Sequence, residues 1–260
     1  MPSRDKDTYC IRSVENALFL LEALAEEDSR CSLAQLSQRL GMTKASLFRL
    51  MATFESHGYV ERKQDSGEYK LGLAAFEVGQ KLLSRMTLLH KARPIMGQLV
   101  RQCNETAYLV VQRDQDVLFL EMSDNDQKVK VVSLAGRRFP VESCAAGKIF
   151  LAYDSRKNKV LIKNHPELAT ELELCRQRGA LIGHNSLGEG STCIAVPLFC
   201  TGNKLAGCLA MVGPSFRMEE ERSTKQLLPA IKTAGEMISA RLGHLDYNVD
   251  SELSVSGSGV

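Results

Sequence analysis

The chain has no tryptophan, only 6% aromatic residues, and no apolar run of the length a bilayer requires. A membrane-spanning helix needs about 20 consecutive apolar residues, so helical membrane roles are excluded. The polar stretch from Met1 to Asp7 lacks the apolar centre of a secretory leader, and a soluble, cytoplasmic protein is expected. CxxC pairs are also missing. The eight cysteines (Cys10, Cys31, Cys103, Cys144, Cys175, Cys193, Cys200 and Cys208) are scattered, so reduced, mostly buried thiols are expected rather than a disulfide framework. Strong charge of either sign is lacking: the formal net charge is +2. Any nucleic-acid partner must therefore be met by locally placed cations.

Catalytic signatures are equally sparse. No GxSxG, HExxH or paired-carboxylate arrangement is present, and enzyme chemistry finds no support. Ala145-Ala146-Gly147-Lys148 is superficially like a phosphate loop, but Glu142 stands where the leading glycine belongs and Ile149 where the hydroxyl does. His184, Cys193 and Cys200 match no zinc spacing, and neither metal nor cofactor is expected.

What is present reads as two units within 260 residues of ordinary globular composition (44% hydrophobic, 25% charged). A first helix follows the polar leader, capped by Ser13, with Val14, Ala17, Leu18, Leu21, Leu24 and Ala25 at helical spacing; a loop through Asp28-Ser29-Arg30 follows. Ser32 with Gln35 forms a capping box ahead of the Leu33, Leu36 and Leu40 stripe. Gly41-Met42 turns the chain, Thr43 caps a third helix with Leu47, Leu50, Met51 and Phe54 inward, and Gly58 ends it. Two alternating runs, 59–63 and 68–71, flank Gln64-Asp65-Ser66-Gly67 as a hairpin. This succession is that of a winged helix-turn-helix.

On the third helix Ala45, Ser46, Arg49 and Thr53 lie opposite the apolar side. Small residues permit close approach to base edges, hydroxyls bond bases or phosphates, and Arg can take guanine bidentately. Thr43 and Lys44 at the helix start suit a phosphate, and Arg62 and Lys63 on the hairpin can reach the neighbouring backbone. So few phosphate contacts per copy require a dimer on a roughly palindromic duplex site.

Residues 73–103 read as helical, with Pro94 expected to kink the segment or start a new helix. Beyond lie strand-like runs at 107–112, 117–123, 129–134, 193–199 and 205–212, and helical runs at 145–153 and 167–178. A final helix spans 219–242 and is interrupted at Pro229, and a frayed tail follows Tyr247. Hairpin signals at 113–116 and 201–204 predict a largely antiparallel sheet flanked by helices, an α+β class.

With these motifs in order, the chain resembles the isocitrate lyase regulator (IclR) family of bacterial transcription factors over nearly its whole length. The likeness rests on Ser13-Val14-Glu15-Asn16-Ala17-Leu18, on Leu40 to Leu50, on His57-Gly58-Tyr59-Val60 and on Tyr69-Lys70-Leu71-Gly72. In the second half it rests on Ala92-Arg93-Pro94, Ala146-Gly147-Lys148, Cys193-Ile194-Ala195-Val196-Pro197, Gly213-Pro214 with Arg217, and Ile238 to Gly243. The resemblance implies a winged helix-turn-helix (8–72), a linker helix (73–88), a GAF-like effector-binding domain (89–246) and a flexible tail (247–260). It also implies homodimers, often paired into tetramers, that repress or activate according to a bound small organic or sugar acid.

Carried over by position, the effector pocket comprises Phe139, Cys144, Ala145, Ala146, Gly183, His184, Ser191, Cys193, Ala210 and Val212. The chain departs from the family where an acidic residue is usual near Gly183-His184 and where Ala210 and Val212 replace hydroxyls; the segment between Tyr153 and Cys175 is also short. Each lost hydrogen bond is worth roughly 1 kcal/mol. The implied ligand is therefore larger or more apolar than a two- or three-carbon keto acid, unless the pocket has lost its ligand. The alternative function is a thiol redox sensor or a small-molecule enzyme on the GAF-like domain, with Cys144 or Cys193 ionised by the helix start.

Overall fold

The structure is a computed structural model that describes residues 10–26, 31–153 and 166–244. The loop expected at 28–30, the tail after Tyr247 and most of the short stretch after Tyr153 lie outside the described residues. The chain divides into two compact units after Arg85, within the stretch read as a linker.

In the first unit, α1 (Arg12–Glu26), α2 (Leu33–Leu40) and α3 (Lys44–Ser56) precede a hairpin of β1 (Val60–Arg62) and β2 (Tyr69–Leu71), then α4 (Leu73–Leu83). Helix α1 begins at Arg12, so Ser13 lies inside its first turn and is not the cap. Ser32 does cap α2: its hydroxyl accepts from the Gln35 N–H while Gln35 reaches back to the Ser32 N–H at 2.8 Å. Gly41 closes α2 in the left-handed region at φ +63°, a conformation glycine adopts without a Cβ penalty. The turn that follows lets Leu36 and Leu47 meet in a core with Leu20, Leu24, Met51, Val60 and Tyr69. Cys31 exchanges backbone hydrogen bonds with Tyr69, adding a short third rung to the hairpin.

The second unit opens with α5 (Thr87–Cys103). The helical stretch breaks between Leu83 and Thr87, and α5 runs unbroken through Pro94. A proline inside a helix costs about 3 kcal/mol. The cost is offset because α5 buries Leu89, Ala92, Ile95, Met96, Leu99, Val100 and Cys103 along one face.

Strands β3 (Thr106–Arg113), β4 (Asp116–Ser123), β5 (Arg138–Pro140), β6 (Leu181–His184), β7 (Ser191–Cys200) and β8 (Lys204–Pro214) form a wholly antiparallel sheet in the order β5-β4-β3-β8-β7-β6. Strands β5 and β6 were not anticipated, being too short to alternate visibly. Conversely, 129–134 is not a strand. It lies in an irregular loop in which Val129 and Leu134 are held by the Arg217 and Tyr108 side chains, and only Gly136 and Arg137 bond to the backbone of β4.

Helix α6 (Ala145–Tyr153) covers one sheet face, with α7 (Pro166–Arg178) packed on it. The other face carries α5 and α9 (Leu228–Arg241). Ahead of α9 come a one-turn α8 (Glu220–Arg222) and a π-helical turn, Ser223–Leu227. Pro229 comes just after the π-helical turn, so the interruption expected there takes the form of a π-helical irregularity in a continuous helical run.

A buried charge joins these parts. Glu105 is fully buried and receives Arg217 bidentately at 2.7 and 2.8 Å and Arg222 at 2.8 Å. Arg217 also donates to the Val129 carbonyl, and Arg222 to that of Cys103, both at 2.7 Å. The end of α5, the 124–137 loop and the chain leaving β8 are thus held to one carboxylate. Removing one partner strands part of a buried charge, which is more costly than losing a surface pair. Arg217→Met should lower unfolding free energy by about 2 kcal/mol in urea titrations. An unchanged midpoint would show that the cluster contributes nothing net.

Candidate functional site

The first candidate surface is α3. Its start is set by Thr43, whose hydroxyl accepts from the Ser46 N–H at 3.2 Å and meets the Ser46 hydroxyl at 3.0 Å. Leu47 and Met51 are buried against α1 and α2, which turns Lys44, Ala45, Ser46, Arg49 and Thr53 outward, all of them exposed. The Thr53 hydroxyl donates to the Arg49 carbonyl at 3.0 Å, so only its lone pairs remain for another group. Neither Lys44 nor Arg49 is in an ion pair among the described residues. Arg62 lies over the Tyr69 ring, 5.7 Å from its centroid, and Lys63 is exposed beside it on the hairpin.

The second candidate is the sheet face under α6. Tyr108, Val110, Phe119, Cys193, Ala195, Cys208, Ala210 and Val212 meet Cys144, Ala145, Ala146 and Ile149 in one cluster. Phe139 closes it at one side, edge-on to Phe119 with centroids 5.4 Å apart. Two glycines let α6 come this near. A Cβ on Gly147 would stand 2.2 Å from the Val141 carbonyl oxygen, and one on Gly183 would stand 3.1 Å from the Ala145 Cβ and 3.2 Å from the Ser186 hydroxyl. Ser186 Oγ is the only buried side-chain nitrogen or oxygen without a hydrogen-bond partner among the described residues. The Cβ on Gly183 would also lie 3.5 Å from the nitrogen of Ala145, the first residue of α6, while the Gly147 N–H donates to Cys144 Sγ at 3.4 Å. Next to this cradle, Lys130, Val131, Leu134, Arg137, Leu187 and Ser191 line an open groove of about 430 Å³.

Comparisons with known proteins place this geometry. Residues 80–240 match the family described as bacterial transcriptional regulator IclR C-terminal, and residues 13–64 match the IclR helix-turn-helix domain. The chain belongs to the IclR family. It is similar to the HTH-type transcriptional regulator KdgR of Dickeya chrysanthemi, at 30% identity over 94% of this chain and 84% of that one. Among solved structures it is similar to the regulator from Alicyclobacillus acidocaldarius (25% identity, TM-score 0.79, 90% of this chain and 100% of that one). It is also similar to an IclR homolog from Microbacterium hydrocarbonoxydans complexed with 4-hydroxybenzoate (20% identity, TM-score 0.77, 88% of this chain and 98% of that one). The protein is a DNA-binding transcriptional regulator with an effector-binding C-terminal domain.

Of the effector positions expected from the resemblance to the IclR family, the fold brings Phe139, Cys144, Ala145, Ala146, Gly183, Cys193, Ala210 and Val212 to the cradle, with Ser191 at the groove. His184 goes elsewhere. It pairs with Thr192, one residue out of phase with Cys193, and strand alternation sends both to the opposite face. There its ring nitrogen meets the Thr192 hydroxyl at 3.1 Å, and that hydroxyl meets Ser215 at 2.9 Å. Ser186, Tyr108 and Leu134 were missed. The Tyr108 hydroxyl accepts from the Leu134 N–H at 3.4 Å, tying the loop over the cradle. Ser186 stands in a turn of glycines and polar residues where only the fold distinguishes it.

The expectation that the helix start would ionise Cys144 fails. Burial pushes that thiol up, and the N–H groups of Gly147 and Ala146 only partly oppose it. Burial also raises Cys193, with Cys144 beside it adding to the effect, and Cys208 well above the usual thiol range; Cys175 is pushed up to about 11. A thiol that stays protonated is a poor nucleophile. In native protein at about pH 8, iodoacetamide should modify exposed Cys10 while Cys144, Cys193 and Cys208 stay unlabelled in tryptic mass spectra. Prompt labelling of Cys144 or Cys193 would restore the redox reading.

Proposed function

We propose that this protein acts in the cytoplasm as a homodimer that reads a roughly palindromic operator with α3 of each copy. A carboxylate-bearing metabolite of about six or more carbons, held at the start of α6, then changes operator affinity. The observation that carries the ligand reading is the buried, unpartnered Ser186 hydroxyl near the Ala145 amide at the start of α6: a carboxylate would accept from both. The walls around it, Tyr108, Phe119, Phe139 and Val141, favour an apolar or extended body over a two- or three-carbon acid. The relative that holds 4-hydroxybenzoate supports the same class. Arg137 at the groove would attract an anion, whereas Lys130 is already paired with Asp124.

The dimer reading is supported by apolar surface without a partner. Helix α4 buries none of its residues, although Leu73, Phe76, Val78 and Leu82 project from it, and α1 exposes Val14 and Leu18, with Ile11 exposed just ahead of it. Apolar surface so concentrated marks a protein contact. No helix among the described residues is long and apolar enough to cross a membrane. With the thiols buried and protonated, nothing in the cradle favours a redox or catalytic role over regulation. The ligand can shift the balance between two placements of the DNA-reading heads only by its differential affinity for them.

Two outcomes are expected. Arg49→Ala should weaken binding to a selected operator by about 10- to 100-fold in fluorescence anisotropy, the loss of one bidentate base contact per half-site. The sedimentation profile should not change. Full operator affinity in that variant would remove Arg49 from the reading surface. In calorimetric titration, six-carbon sugar acids or 4-hydroxybenzoate should bind more tightly than glyoxylate or pyruvate, and Ser186→Ala should weaken binding by about tenfold. Tight pyruvate binding that is indifferent to Ser186 would sink the ligand class.

A further inference from the structure

Helix α3 carries one side chain that neither the core nor the polar reading surface accounts for. Phe48 is 56% exposed on a helix whose Leu47 and Met51 are buried. A lone exposed phenylalanine needs no explanation. This one has a setting. Ala45, Phe48, Arg49 and Ala52 recur at i, i+3, i+4 and i+7, all exposed, so they form one stripe down the outward side of the helix. Alanines three residues before and four after leave the ring standing clear of its own helix, and Arg49 lies next to it with no ion pair among the described residues. A face meant only to stay hydrated would carry charge at position 48.

In the major groove a thymine differs from every other base in one apolar feature, its C5-methyl group, and Phe and Ala side chains are suited to cover it. A guanidinium reads guanine by hydrogen bonds; a phenyl ring offers none and can distinguish bases only by that methyl or by shape. The short alanines allow the ring to reach the groove floor where longer neighbours would hold the helix off.

We propose that Phe48 is a specificity-determining residue that covers the C5-methyl of a thymine in each half-site, adjacent to the base taken by Arg49. This rests on the reading of α3 as the groove-entering helix. Burying one methyl-sized group should change affinity about fourfold per half-site. Binding should therefore depend on the methyl and not merely on the A·T pair.

The test uses the full-length protein and a duplex that it enriches from a random-sequence pool. Each thymine of the enriched sequence is replaced, one symmetric pair at a time, by deoxyuridine, which pairs identically but lacks the methyl. One position should weaken wild-type binding about fourfold per half-site. Phe48→Ala should bind the thymine and uracil duplexes equally and as weakly as wild type binds the uracil one. In a second measurement, 5-iododeoxyuridine at that position should photocrosslink wild-type protein in the peptide carrying Phe48. No methyl-dependent position, a uracil effect that persists in Phe48→Ala, or a crosslink outside α3 would overturn the proposal. A Phe48→Ala loss equal on both duplexes, with wild type indifferent to uracil, would overturn it in favour of a ring wedged between bases. The Arg49→Ala variant separates the two failures. If it keeps full affinity, the reading of α3 has failed; if it loses affinity while every methyl proves neutral, only the role of Phe48 has.

Discussion

The effector half depends on how closely α6 can approach the sheet. At Gly147 and Gly183 a single added methyl would strike a backbone carbonyl in one case and the first residue of the helix in the other. Because neither residue has one, the N-terminus of α6 settles onto β6 and β7, with the Ala145 amide close to Gly183 and Ser186. A helix lying further out would open a gap between itself and the sheet. It would also leave Ser186 to water. This close approach is a property of two residues that lack side chains.

The same closeness decides the chemistry of the cysteines. A thiol at a helix N-terminus is ordinarily made more acidic. Here the approach that supplies the N–H groups also removes the solvent that would stabilise the thiolate, and burial outweighs them at Cys144. The cradle therefore keeps its sulfurs neutral, as small apolar wall material. Charge enters the second unit at the Glu105 cluster, where two guanidinium groups satisfy the carboxylate and fasten the loop above the cradle. The loop carries Lys130 and Arg137 toward the groove and Leu134 toward Tyr108. Its end is tied to β4, where the Gly136 N–H donates to the Phe119 carbonyl and the Arg137 carbonyl accepts from the Phe119 N–H.

Much of the first unit was legible because its signals are local. A capping box spans Ser32 to Gln35, a left-handed turn needs one glycine, and the inward stripe of α3 repeats within two turns, so each can be recognised without knowing what packs on it. Even there the reading was incomplete. The helical pattern assigns Phe48 no face, since the inward set is Leu47, Leu50, Met51 and Phe54; the burial of Leu47 and Met51 leaves the ring exposed. Pro94 shows the converse. Local chemistry marked a break, and seven buried neighbours along α5 carried the helix through it.

By itself the amino-acid sequence determined the order of the elements in the first unit, the outward display of Arg49 and its hydroxyl neighbours, and, through several separate motifs, membership of the IclR family. The tertiary structure decided the strand order β5-β4-β3-β8-β7-β6, the two short strands, the side of the sheet that His184 occupies and the solitude of the Ser186 hydroxyl. The physical reason is range. Capping and helical periodicity act over a few residues. A strand's register reverses every side chain when it shifts by one, and burial of a thiol or a hydroxyl depends on segments far apart in the chain closing over it.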